Sequence, residues 1–228
     1  MFICFVGIDG SGKTLQAEKL AGALTERGIP CAYTWCRYSP RLLDPLNKLA
    51  KRLIRRRKGG SEYSGFTSSK RGILSKPIIG WAWLNLSLLD YLIQVRSCFR
   101  GILESGKVLI CDRFLYDMLA DLAINFGRSG EGVAELARHP LTRLFPRPDR
   151  VYFLDVPPDV AWARKNDPNV TDKQYLVDRA DAYSTLCDSL GFTRIDGTRS
   201  IEEIAEEVLK QTLECIEGAK SEVISCHE

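Results

Sequence analysis

The sequence predicts an α/β fold of three layers, with a parallel sheet of about five strands flanked by helices on both faces. Three observations predict it. Short apolar runs alternate with longer amphipathic stretches, the strand–helix rhythm of a parallel sheet with right-handed crossovers. The runs are apolar throughout, not at every second residue, as strands covered on both faces are. The first run passes directly into a glycine-rich turn and a helix, which is the order that gathers backbone N–H groups at a strand's carboxyl end. A chain of 228 residues can bury a sizeable core. We read 1–218 as a single domain and 219–228 as a frayed tail.

Bulk properties narrow the function classes. The formal net charge is only +3, so the molecule is no polycation and no nucleic-acid partner is expected. There are eight cysteines, but none forms a C-x-x-C pair. Cys4 and Cys111 sit inside apolar runs, where a free thiol behaves as a small hydrophobe. Met1 is followed at once by a strand, which leaves no room for a signal peptide. A cytoplasmic protein with reduced thiols is expected.

Phe2-Ile3-Cys4-Phe5-Val6 is the first strand. Gly7-Ile8-Asp9-Gly10-Ser11-Gly12-Lys13-Thr14 follows and fits G-x-x-x-x-G-K-[ST] at every required position. Gly7, Gly10 and Gly12 let successive N–H groups point into one concavity. That concavity lies at a helix N-terminus, where open N–H groups and the helix dipole favour an anion. Lys13 can reach the outer phosphates of a nucleoside triphosphate, and the Thr14 hydroxyl can ligate Mg²⁺. The helix runs from Lys13 to about Arg27 and stops at Gly28. Cys31 to Trp35 is the second strand.

The segment 37–76 is strongly basic. It carries Arg37, Arg41 and Lys48 and a dense run to Lys58, against only Asp44 and Glu62. Leu42, Leu46, Leu49 and Leu53 fall at helical spacing, and Gly59-Gly60-Ser61 opens a loop. A solvated face, an anion-binding surface near the site, and a docking patch for an acidic partner over 48–58 all remain open here. Ile78 to Leu103 reads as a long helix. Asn85, Ser87, Asp90 and Gln94 interrupt its apolar stretch and favour a buried helix over a membrane span.

Lys107 to Cys111 is the third strand, with Asp112-Arg113 where it ends. Ligands of open parallel sheets bind beyond the carboxyl ends of strands, so this pair faces the phosphate loop. A structural salt bridge is the other reading. Helices are expected over Phe114 to Phe126 and Val133 to Ala137, then a fourth strand from Val151 to Asp155. Pro157-Pro158-Asp159 turns into a helix ending in Arg164 and Lys165. A polar connection leads to a helix over Lys173 to Leu190, a short strand from Phe192 to Asp196 and an amphipathic helix from Ile201 to Ile216.

Four motifs in this order resemble the thymidylate kinase family over roughly the whole chain. They are the phosphate loop with Asp9 inside it, Asp112-Arg113-Phe114, Leu154-Asp155-Val156-Pro157-Pro158 followed by Ala161-Trp162-Ala163-Arg164, and Ile195-Asp196-Gly197-Thr198. The resemblance implies a P-loop kinase fold with a mobile lid over 164–173, and phosphoryl transfer from ATP with Mg²⁺ to a nucleoside monophosphate, dTMP first. It implies that Gly7, Asp9, Gly10, Ser11, Gly12, Lys13 and Thr14 hold the triphosphate, while Gly197 and Thr198 line the adenine. Thr14 and Asp112 hold the metal. Lys13, Arg113, Arg164 and Lys165 serve the transfer. Asp9, Arg37, Arg41, Asp90, Tyr91, Arg113 and Asp117 form the acceptor side, and the family implies a homodimer. Tyr91 stands where the family has an Arg, and Asp117 where it has a small hydroxyl residue. A kinase acting on another acceptor therefore stays open. A nucleotide switch is the third reading, against which Asn47-Lys48-Leu49-Ala50 lacks the last residue of N-K-x-D.

Overall fold

The computed structural model describes residues 1–45, 48, 77–128, 130–165 and 173–225. Most of the basic segment (46–47 and 49–76), and 166–172 of the expected lid, lie outside the described residues. Five parallel strands form one sheet: β1 (Phe2–Val6), β2 (Cys31–Trp35), β3 (Val108–Asp112), β4 (Arg150–Asp155) and β5 (Thr193–Asp196), in the spatial order β2-β3-β1-β4-β5. The helices are α1 (Lys13–Glu26), α2 (Pro77–Glu104), α3 (Leu115–Asn125), α4 (Glu131–Ala137), α5 (Pro158–Lys165), α6 (Lys173–Leu190) and α7 (Ile201–Ser225).

The apolar runs explain the layers. In β1, Phe2, Cys4 and Val6 face a core shared with α2, α3 and α6, while Ile3 and Phe5 face a core shared with α1 and α7. Both faces of β1 and β3 are buried along their whole length, which is why neither shows polar alternation. The edge strands β2 and β5 are half exposed. Helix α2 is long and apolar enough to cross a membrane by length and composition. Its Leu84, Leu88, Leu92, Val95 and Phe99 are buried against the sheet, so it is a core helix.

Several element ends, those of α2, α3, β4 and β5 among them, move by one residue from the sequence expectation, and four further differences stand out. Strand β3 is shifted by one residue to include Asp112, because Asp112 pairs in register with Phe5 and Trp35. A 3₁₀ turn at Pro140–Leu144 gave no periodic signal. Helix α4 starts earlier, at Glu131. Helix α7 runs on to Ser225 where a frayed tail was expected, since no Pro interrupts it and Gly218 does not take the left-handed conformation of a cap.

Because α1 covers one face and α3 the other, the loops leaving β1 and β3 part at their carboxyl ends. A crevice opens there, at the place where ligands of such sheets bind.

Candidate active site

The loop after β1 is shaped by close approach. Gly10 has φ 90°, and a Cβ there would lie 2.4 Å from the Ala161 carbonyl oxygen. Only glycine lets the loop pass under α5 in that conformation. Gly12 caps α1 with φ 89° and no side chain bonds the helix end, so the first-turn N–H groups of α1 are left for an anion. Lys13 is buried, its Nζ donating to the Ile8 carbonyl at 2.9 Å and lying 3.7 Å from the Asp9 carboxylate. Burial first, then the nearby Arg113, push the Lys13 amine down to about 8, against the pull of Asp9 and Asp112.

Across the crevice stand Asp112 and Arg113. Asp112 is fully buried; its Oδ2 accepts from the Thr14 hydroxyl at 2.5 Å and from the Tyr33 hydroxyl at 3.4 Å. Its Oδ1 is buried without a partner. An orphaned carboxylate oxygen beside a hydroxyl fits Mg²⁺, which takes one or two protein oxygens and completes its shell with phosphate oxygens and water. No group of three His, Cys, Asp or Glu side chains among the described residues forms a metal cage, so any metal here depends on the nucleotide.

Arg113 has φ 67°, and among the described residues it is the only non-glycine with positive φ. Such strain concentrates at functional sites. Its guanidinium is held by Asp9 on one side and by Asp117 Oδ1, at 2.6 Å, on the other. Burial alone would raise the Asp9 carboxyl, but Arg113 and then Lys13 hold it well below the usual carboxylate range. Asp9, Gly10, Lys13, Thr14, Arg37 and Arg113 line one cavity of about 410 Å³. A larger cavity of about 500 Å³ opens elsewhere, among Phe145, Arg147, Arg150 and Phe192, and contains no phosphate-loop residue.

No protein-family model matches the chain. A thymidylate kinase of Fervidobacterium nodosum is 28% identical over 216 residues, covering 92% of this chain and 97% of that protein. A probable thymidylate kinase of Staphylothermus marinus is 26% identical over 218 residues, 93% and 94% of the two chains. A thymidylate kinase of a Wolbachia of Brugia malayi is 31% identical over 170 residues, 74% of this chain and 71% of its own. This chain belongs to the thymidylate kinase family.

Within that thymidylate kinase frame, three acceptor-side expectations need correction. Tyr91 is buried, with its hydroxyl donated to the Cys36 carbonyl at 2.5 Å and its ring against Tyr38 and Phe145. It is a core residue and offers no phenol to the crevice. Asp90 accepts from the backbone N–H groups of Arg41 (3.0 Å) and Leu42 (3.4 Å) and from Tyr38 and Gln94, so it anchors the loop after β2. Asp117 is buried between Arg113 and Arg179, so its carboxylate is paired and serves the scaffold behind Arg113.

The remaining expectations divide. Arg37 reaches the cavity, whereas Arg41 is exposed and is not among the residues that line it. Ser11 is buried in the loop with an unpartnered hydroxyl. Arg164 is exposed and its Nη1 donates to the Gly197 carbonyl at 2.8 Å, tying α5 to the loop after β5. There a Cβ on Gly197 would meet Val156 Cγ2 at 2.4 Å, and Asp196 accepts from the Thr198 N–H and hydroxyl. The side chain of Lys165 and residues 49–58 of the basic run lie outside the described residues; Lys48 pairs with Asp44 at 2.5 Å.

Sequence reading missed Arg179, Tyr175, Tyr183 and Asp121. The signal was spacing: Asp117 and Asp121 lie four apart on α3, and Tyr175, Arg179 and Tyr183 lie four apart on α6. Polar residues on one face of otherwise core-facing helices call for partners across the interface.

Proposed function

We propose that this protein transfers the γ-phosphoryl group of ATP to dTMP, giving dTDP and ADP. One observation carries the reading. Arg37 and Arg113 face the phosphate loop across a single cavity, so cations flank both the donor and the acceptor side. The names of the relatives support the acceptor.

In the transfer, an oxygen of the dTMP phosphate bonds to the γ-phosphorus as its bond to the β–γ bridging oxygen breaks, and ADP leaves with that electron pair. The attacking group is already an anionic oxygen, so no general base is required. Positioning and charge stabilisation then make up most of the catalysis. The N–H groups of Gly7, Gly10 and Gly12 and the Lys13 ammonium hold the triphosphate, while the Ser11 N–H closes the loop on the Ile8 carbonyl at 3.2 Å. Thr14 and Asp112 hold Mg²⁺, which supplies neutralising charge to the phosphate oxygens when bound. Arg113 and Arg37 grip the acceptor phosphate, and Asp9 receives the sugar hydroxyl. Arg164 and Lys165 add charge over the triphosphate from α5, and the Gly197-Thr198 backbone lines the adenine.

The protein works as a homodimer in the cytoplasm. Trp81, Leu86, Leu89 and Ile93 form an exposed apolar stripe on α2 of the kind that partner subunits cover. The seven described cysteines are all free, in keeping with a reducing compartment.

A coupled ADP-release assay over nucleoside monophosphates, nucleosides and alcohols tests the activity. Turnover is expected with dTMP and not with neutral alcohols. The opposite pattern would overturn the assignment.

A further inference from the structure

Behind Arg113 lies a buried ionic cluster that the reaction as described does not use. Arg179 on α6 is fully buried, although an arginine is among the costliest side chains to desolvate. Its Nη2 donates to Asp117 Oδ1 at 2.5 Å and to the Tyr183 hydroxyl at 2.9 Å. Its Nη1 donates to Asp121 and to the Tyr175 hydroxyl at 2.8 Å. Both tyrosine rings lie 5.5 Å from the guanidinium carbon, as cation–π partners do.

The shared atom is Asp117 Oδ1. It accepts from Arg113 Nη1 at 2.6 Å, from Arg179 Nη2 at 2.5 Å and from the Tyr183 hydroxyl at 2.6 Å. Arg113 commits one Nη1 hydrogen to Asp117 and one Nη2 hydrogen to Asp9, so a phosphate that takes either of these donors competes with a carboxylate. Stripping a buried carboxylate of its only donor is expensive, whereas removing one donor of three is far less so. Burial alone would raise the Asp117 carboxyl, but Arg179 first and Arg113 second hold it below its ordinary value. When Arg113 turns away, the carboxylate oxygen keeps two donors, Arg179 Nη2 and the Tyr183 hydroxyl.

We propose that Arg179 is a positioning residue: it keeps Asp117 satisfied from behind, so that the Arg113 guanidinium can turn to the phosphate of the acceptor. It touches no substrate itself. This deepens the function proposed above and rests on Arg113 being the acceptor-phosphate ligand.

The test uses the full chain and the variants Arg179→Met, Asp117→Asn and the two combined, with two readouts. One is the pair of Michaelis constants for dTMP and ATP. The other is the calorimetric dissociation constant for inorganic phosphate with the phosphate loop filled by ADP and Mg²⁺, using Arg113→Gln as the blank. Arg179→Met should raise the dTMP constant and the phosphate constant at least about tenfold, the loss of one charge-assisted bond, with the ATP constant little changed. Asp117→Asn should move both the other way, and the double variant should recover the parent values. A merely structural role would lower kcat in every variant and leave the two signs alike. Unchanged phosphate affinity in Arg179→Met, or weakening by Asp117→Asn without recovery in the double variant, overturns the proposal. Should Arg179→Met fail to fold, Arg179→Lys, which keeps the charge but loses the forked donors, takes its place, and an unchanged phosphate constant there overturns the proposal. A parent protein that does not turn over dTMP would refute the assigned reaction, while the phosphate constants would still judge Arg179.

Discussion

At Lys13, burial competes with charge. The amine sits near 8 because it is desolvated and faces Arg113, so it is an ammonium below that pH and a neutral amine above it. The charged form attracts the triphosphate. The value of kcat/KM for ATP should therefore fall as pH rises through about 8. The limb in kcat should lie higher, since bound phosphates favour the ammonium. Lys13→Arg should move the limb out of range, and a pH profile of both variants checks it. Lys13→Ala should cost at least about 3 kcal/mol of transition-state stabilisation with the fold intact, which turnover numbers and circular dichroism together would show. Gly10→Ala tests the loop itself. Its methyl would meet the Ala161 carbonyl at 2.4 Å in a left-handed conformation. Urea unfolding should show a loss of roughly 1–3 kcal/mol, together with loss of ATP binding.

Among the elements, α2 carries two separable roles. On its inner face Tyr91 ties the helix to the end of β2 through the Cys36 carbonyl, one residue before Arg37. Tyr91→Phe should cost about 1 kcal/mol of stability and only slightly raise the Michaelis constant for dTMP. A large rise with unchanged stability would mean that the phenol meets the substrate after all. On its outer face, Leu89→Glu combined with Ile93→Glu should leave a folded monomer by analytical ultracentrifugation if the exposed stripe joins two subunits. A monomeric parent protein would refute the dimer outright. The elements themselves were legible from periodicity, and α6 and β2 begin and end where the apolar pattern does. The apolar run ends at Cys111, so periodicity alone stops the third strand before Asp112. That residue belongs to β3 because the ladder to Phe5 and Trp35 carries it there.

For the whole molecule, nucleotide binding and folding are linked, since only the native sheet brings the phosphate loop to Asp112. ATP with Mg²⁺ at a hundred times its dissociation constant should add about 2.7 kcal/mol of stability. That corresponds to a rise in Tm of roughly 5–10 °C for a chain of this size. Chelation of the metal should remove part of the rise and Lys13→Ala most of it, as a thermal-shift series would report. The sequence by itself determined the layers, the phosphate loop and the Asp112–Arg113 pair, because each is written in contiguous residues whose backbone geometry and burial are local matters. Tertiary structure alone decided that Tyr91 and Asp90 serve the scaffold, that Arg37 joins the cavity and Arg41 does not, and that Asp117 is neutralised. The last of these depends on Arg179, 62 positions away in the chain. A side chain's partner across a helix interface is chosen by packing, and no spacing within either helix records it.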